Sequence, residues 1–195
     1  MPKWKCPHCG GKQDKKEAPD CFHCADCPYS KCGDETVDVM EFLKESNAIE
    51  GVFDGNSLMQ AKTAWDYLIK QKELNKGVIC KTHKILMLHQ PIMGYQRGYY
   101  RDEPVRVGGR EGLKADQIEE AIEEWCKDVA TSIKIAGKDG KHIKLDHITY
   151  EKIHPFIDGN GRTGRMFMNY QRLKAGLPIL IIKNSEKQAY YQWFK

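Results

Sequence analysis

The chain has 195 residues, 41% of them apolar and 10% aromatic, and a formal charge of +4. That length allows one domain with an appendage or at most two small ones, and that composition supports a folded core, which excludes a disordered low-complexity chain. The mild charge permits contact with phosphates or acidic surfaces but does not itself point to nucleic acid.

No apolar run approaches the roughly 20 residues needed to span a bilayer, so no membrane association is expected. The start, "MPKWKCPHCGG", has no apolar signal core, which makes a cytoplasmic location the default expectation.

The first notable stretch is "CPHCGGKQDKKEAPDCFHCADCPYSKC", residues 6 to 32, which holds six of the eight cysteines. It has no hydrophobic periodicity, so it cannot build an apolar core and needs a staple. In a reducing compartment clustered cysteines more often hold metal than form disulfides. Cys6-x-x-Cys9 followed by Gly10 has zinc-knuckle spacing, and Cys21, Cys24 and Cys27 offer two further C-x-x-C pairs. Either Cys24–Cys27 or Cys21–Cys24 would complete a structural Zn²⁺ site, with Cys32, His8 and His23 in reserve and a second ion allowed. An iron–sulfur cluster is the minority reading. The first 36 residues carry six Lys or Arg against six Asp or Glu, so no basic stripe favours nucleic acid. A zinc-stapled cap and a recruiting finger fit equally well. The expected division is a cysteine-rich zinc segment at 1–35 and a second domain at 36–195.

Beyond that boundary helical spacing dominates. In "ESNAIEG" (45–51), Ser46 and Glu50 are four apart and share a face if helical. Leu58, Ala61, Trp65, Leu68 and Ile69 form one apolar stripe. "VICKTHKILMLH" (78–89) reads as a second helix. "GYYRDEPVRVGG" (98–109) alternates between glycines and predicts a short hairpin. Ile118, Ala121, Ile122, Trp125, Val129 and Ile133 form another stripe, with Glu119, Glu120, Glu123 and Glu124 toward water. "GRTGRMFMNYQRLKAG" (161–176) predicts a helix that stops at Gly176, with Pro178 beyond. Cys80 and Cys126, isolated in helical stretches, read as buried hydrophobes. No internal repeat is visible. The fold class is mainly α with one small β element.

The densest chemistry lies in "HPFIDGNGRTGR", residues 154 to 165. Successive Gly159, Asn160 and Gly161 permit left-handed backbone and can turn consecutive N–H groups into an anion nest. A helix starting near Gly161 would add its unpaired N–H groups and dipole. Arg162 and Arg165 project from nearly the same side and can fork phosphate oxygens. The literal G-x-G-x-x-G match at Gly159, Gly161 and Gly164 is weak, because "HPF" rather than a strand precedes it. The G-x-x-x-x-G-K-[ST] loop fails, because Arg165 and Met166 occupy its last two positions. His154 suits proton abstraction near neutral pH, and Asp158 suits a hard cation such as Mg²⁺. Together these residues describe a phosphoryl- or nucleotidyl-transfer site.

His154-Pro155-Phe156-x-Asp158-Gly159-Asn160-Gly161-Arg162-x-x-Arg165 resembles the signature of the Fic family (filamentation induced by cAMP) at every fixed position. "GYYRDEPVRVGG" resembles the family's flap hairpin, and "KAGLPILII" followed by Tyr190-Tyr191 resembles the segment after the signature. Ser46-x-x-x-Glu50-Gly51 is similar to the family's inhibitory motif, placed as in the class with an N-terminal inhibitory helix, here about 37–51. The resemblance spans roughly 37–195 and leaves the cysteine segment uncovered.

The resemblance implies a helical Fic core and transfer of AMP from ATP to a Ser, Thr or Tyr hydroxyl of a target protein. His154 would be the base and Asp158 the Mg²⁺ ligand. Gly159, Asn160, Gly161, Arg162 and Arg165 would bind the phosphates, and Tyr190 and Tyr191 would wall the adenine. Phe156 would anchor the loop. Gly161 marks AMP transfer rather than phosphorylation, for which the family typically carries Lys. Val105, Arg106 and Val107 would pair with an extended target segment. Glu50 would pair with Arg165 and hold the enzyme off, with Ser46 fixing the helix, and the same Glu would allow AMP removal as a reverse reaction. The rival expectation is a zinc-finger-tethered nucleotide sensor without turnover. The target, the releasing signal and any homo-oligomer stay open.

Overall fold

The computed structural model describes Trp4–Lys5, Lys12–Gln13 and residues 32–195 apart from 108 and 138. It divides into two compact units, Met1–Glu41 and Phe42–Lys195. In the first, β1 (Trp4–Lys5) pairs antiparallel with β2 (Lys12–Gln13), Trp4 opposite Gln13. Cys6, Cys9, Cys21, Cys24 and Cys27, with His8 and His23, lie outside the described residues, and the zinc expectation with them. Cys32 opens α1 (Cys32–Ile49), which begins earlier than the helix expected at about 37. Among the described residues no cluster of His, Cys, Asp and Glu side chains is grouped to hold a metal.

The second unit takes in the end of α1 and six further α-helices. Asp54 and Asn75 cap α2 (Gly55–Leu68) and α3 (Lys76–Leu86), accepting from the N–H groups of Ser57 and Val78. These two helices pack together, as do α4 (Ile118–Ile135) and α5 (Lys141–Ile153). The expected stripe of α4 buries Ile118, Ile122, Trp125 and Val129, while its four glutamates are exposed. Helix α5 was not anticipated, because its sequence "KHIKLDHITYEKI" mixes charge into every turn. It buries Asp146, His147 and Glu151 beside Ile143 and Tyr150.

Helix α6 (Asn160–Lys174) runs through the middle and touches α3, α4 and α5. Every residue from Arg162 to Gln171 is buried, although several are polar. Thr163 and Asn169 find internal partners: Thr163 bonds the Tyr150 hydroxyl at 2.9 Å, and Asn169 bonds both the N–H and the carbonyl of Leu180. Gly176 ends the helix region with φ 74°, and α7 (Lys187–Tyr191) packs back at the chain's end.

Two expectations need adjustment. The hairpin at 98–109 is reduced to a two-residue ladder shifted along the chain, β3 (Arg106–Val107) against β4 (Arg110–Glu111). The preceding residues are drawn instead into contacts with the 154–165 loop, as when the Arg101 amide donates to Pro155. Cys80 and Cys126 are half-buried rather than fully so, with burial pushing the Cys126 thiol up to about 12. No helix among the described residues is long and apolar enough to cross a membrane.

The α5–α6 crossing depends on Gly164. A Cβ there would press on the Glu151 carboxylate and lie 3.0 Å from the Tyr150 ring and 3.1 Å from His147. Because all three neighbours are buried, Gly164→Ala is expected to cost about 1–3 kcal/mol, read as a lower midpoint in urea denaturation.

Candidate active site

The 154–165 loop links α5 to α6. Helix α5 terminates at His154 in the left-handed conformation, φ 49°, the only non-glycine positive φ among the described residues. Such strain, of order 1–3 kcal/mol, persists where surroundings over-determine it. His154 is half-buried, and its Nδ1 lies 3.3 Å from the Glu151 carbonyl. A carbonyl only accepts, so Nδ1 carries the proton and Nε2 keeps its lone pair. Burial holds His154 below the ordinary imidazole value, which keeps it a base near neutral pH.

Asn160 does not offer its amide side chain to a ligand; it closes the loop. Its Oδ1 accepts from Phe156 N at 2.9 Å and its Nδ2 donates to Phe156 O at 2.8 Å. Phe156 is fully buried, as an anchor should be. Gly159, φ 79°, precedes α6 without any side-chain cap, so the first-turn N–H groups of α6 have no intrahelical acceptors. A Cβ on Gly159 would run into Met87 Sδ. Asp158 is half exposed at the loop's surface; one oxygen accepts from Gly159 N and the other lies 3.4 Å from Arg162 Nη2. A single exposed carboxylate beside the start of a helix fits Mg²⁺, which prefers few protein ligands.

Arg165 is 1% exposed. Its Nε donates to Ser46 Oγ at 2.9 Å, and Nη2 donates to Ser46 O and Glu50 Oε1, both at 2.8 Å. Nη1 faces the Tyr190 hydroxyl at 3.3 Å. Glu50 is delivered by a defined helix end: Val52 N bonds Asn47 O and Gly51 N bonds Ala48 O, both at 3.0 Å, with Gly51 at φ 74°. Ile49 packs against Ile143, Met168, Ile182 and Tyr190, seating the helix one residue before the carboxylate. Gly161 faces the same carboxylate, since a Cβ there would overlap Glu50 Oε1. Arg162 is buried against Met87 and Asp158.

The remaining expected residues are spread. Tyr190 is buried, with its hydroxyl 2.8 Å from His147 Nε2 and its ring beneath the Arg165 guanidinium, while Tyr191 is 38% exposed. Val105 accepts from Gly112 N at 2.8 Å, which continues the β3–β4 ladder. Alternation then turns the N–H and C=O of Arg106 to the free edge.

Residues without a sequence signal complete the site. His83 stacks on Phe156, centroids 3.7 Å apart and nearly parallel. Its Nδ1 accepts from Gly98 N and its Nε2 faces the Asp158 carbonyl, both at 2.9 Å. That pairing requires neutral imidazole with the proton on Nε2, and burial pushes its pKa down to about 4. Arg101 bonds carbonyls on both the loop and the hairpin. Glu151 is buried near Arg165, its carboxyl pushed up to about 7 by burial. Only "KTHK" and "YYRDEP" would have flagged the first two, and the sequence reads them simply as part of a helix and part of a hairpin.

The Fic/DOC family model matches residues 73–171, and the chain belongs to this family. It is 30% identical over 155 residues to a protein adenylyltransferase Fic of Drosophila erecta, covering 73% of this chain and 30% of that one. The Drosophila persimilis protein of the same name is 30% identical over 157 residues with the same coverage. The chain thus spans under a third of the length of these relatives. Among solved structures, a Fic domain containing signaling protein from Bacteroides thetaiotaomicron superposes with TM-score 0.68 at 18% identity, covering 82% of this chain and 70% of that one. Fic-1 from C. elegans gives 0.66 at 18%, covering 78% and 53%. These structures share the fold.

His83 also sets an acid dependence. Its folded pKa lies below that of the unfolded chain, so between about pH 6.5 and 4 the unfolded state binds a proton that the folded state refuses. Stability contributed there falls as pH drops, by about 1.4 kcal/mol per unit. The stability advantage of wild type over His83→Gln should therefore shrink as pH is lowered across that window, read by urea denaturation at each pH.

Proposed function

We propose that this protein transfers AMP from ATP to a Ser, Thr or Tyr hydroxyl of another protein and is held inactive by its own Glu50. The observation that carries the reading is the state of the two key side chains. His154 keeps a free Nε2, while Arg165 is engaged by Ser46, Glu50 and Tyr190.

In the active form the acceptor hydroxyl loses its proton to His154 Nε2 as its oxygen attacks the α-phosphorus and pyrophosphate leaves. The first-turn N–H groups of α6 and Gly161 cradle the phosphates, with Arg162 and Arg165 neutralising the β- and γ-groups. Asp158 would hold Mg²⁺, which supplies charge neutralisation between phosphates when bound. Because Arg165 already spends its donors on α1 and Tyr190, a γ-phosphate finds no free guanidinium until Glu50 withdraws. Nucleotide bound meanwhile is misaligned for attack.

Tyr191, being partly exposed, is the adenine-side aromatic on this reading, and Tyr190 braces Arg165. The free edge at Arg106 takes an extended acceptor segment by strand addition, with Val105 and Val107 flanking it. The same Glu50 could orient a water to remove AMP in the reverse sense. The cysteine segment is proposed to bind zinc, which metal analysis of the purified chain would register.

The test is incubation with labelled ATP and Mg²⁺. Glu50→Gly should raise label on protein at least about tenfold over wild type, the scale of one lost ion pair. Glu50→Gly with His154→Ala should lose it. Equal labelling of wild type and Glu50→Gly would remove the brake. ATP binding with no labelled protein in any variant would leave a nucleotide sensor.

A further inference from the structure

In "GYYRDEPVRVGG" Arg101 reads simply as part of the hairpin, yet it is only 5% exposed. Its Nε donates to His154 O at 2.8 Å, and Nη2 to Leu113 O at 2.6 Å and Ile153 O at 3.4 Å. Nη1 donates to Glu103 O at 2.8 Å, and the Arg101 backbone N–H donates to Pro155 O at 2.9 Å. Three of these carbonyls are consecutive and centred on the left-handed His154. The other two, of Glu103 and Leu113, flank the β3–β4 ladder on either side. Gly112 matches this arrangement: a Cβ there would lie 2.8 Å from Val105 Cγ2 and 3.4 Å from Arg101 Nη2.

We propose that Arg101 is a positioning residue for the transfer, locking the base and the acceptor-docking hairpin into one rigid piece. The inference rests on the transfer reading above. A hydroxyl delivered on a strand paired to Arg106 meets His154 only if hairpin and loop keep their separation, and one guanidinium spans both. Its planar fork makes this feasible, because five N–H donors diverge toward carbonyls on two sides, whereas a lysine presents three from one nitrogen. The Ile153 and His154 carbonyls end α5, where orphan acceptors and the negative end of the helix dipole collect. The cation is therefore compensated without a carboxylate. It also supports the strained His154 backbone, since each of the three carbonyls there is tied to it.

A second consequence concerns the proton. The His154 imidazole is kept neutral first by burial and then by the nearby Arg101 charge, while the Glu151 carbonyl, Glu50 and Asp158 act in the opposite direction. Removing the guanidinium charge should move the His154 midpoint up toward the ordinary imidazole value of about 6.5.

The experiment uses Arg101→Gln and Arg101→Lys, each in wild type and in Glu50→Gly. The His154 ring is titrated by NMR, and AMP transfer is resolved into kcat and the KM for ATP. Arg101→Gln should raise the His154 midpoint. Arg101→Lys, which keeps the charge but not the fork, should leave the midpoint low. Both should lower kcat roughly 10- to 100-fold with the KM for ATP unchanged, the scale set by ångström misplacement of reacting groups. If both variants lower only the melting temperature, with midpoint and kcat intact, Arg101 is structural and the proposal is overturned. Should Arg101→Gln not fold, the kcat of Arg101→Lys decides. If Glu50→Gly itself transfers no AMP, the transfer reading fails, while the NMR midpoint still decides whether Arg101 acts on His154.

Discussion

The guanidinium of Arg165 is a full positive charge with almost no exposure to water. A buried cation is costly unless it is compensated at close range. Here the compensation comes from Ser46 and Glu50 on one side and the Tyr190 hydroxyl on the other. Much of the second unit follows from that need. The end of α1 must approach α6, α7 must fold back over both, and α6 must run through the interior to carry the charge there. The helix end at Glu50–Gly51 and the packing of Ile49 give the carboxylate one address rather than a range of them.

The catalytic loop is stiffened by different means. Asn160 staples it across Phe156, and His83 lies flat on the Phe156 ring while bonding the Asp158 carbonyl. None of these contacts uses a charged side chain of the loop. In these contacts the shape-holding groups, Asn160, Phe156 and His83, are buried and neutral, while His154 is half-buried and Asp158 is exposed. His83 and His147 illustrate the first kind, both pushed well down by burial.

The twelve residues from 154 to 165 announced most of the loop, because glycine, histidine, aspartate and arginine have few structural reasons to occur so densely together. Helices α2, α4 and α6 were legible through periodicity and stop signals. Helix α5 was not, because its buried Asp146, His147 and Glu151 break the apolar stripe and are satisfied only by partners distant in sequence. The hairpin was placed too early for a related reason: alternation marked 98–109, but backbone bonds to Pro155 take up Arg101 before pairing begins. Arg101 and His83 were invisible in the same way. A polar side chain that hydrogen-bonds only backbone groups leaves no partner residue type to search for.

Position 161 carries an obligation in each direction. Its lack of a side chain leaves space for Glu50 to reach Arg165, and, on the proposed transfer reading, it leaves the start of α6 open for close approach by a polyphosphate. A methyl group at this spot would crowd both occupants, dislodging the guard while narrowing the doorway it guards. Variants that wake the protein should therefore be found along α1 and not here, and the site's tolerance for change is smallest where the chain has the least bulk to lose.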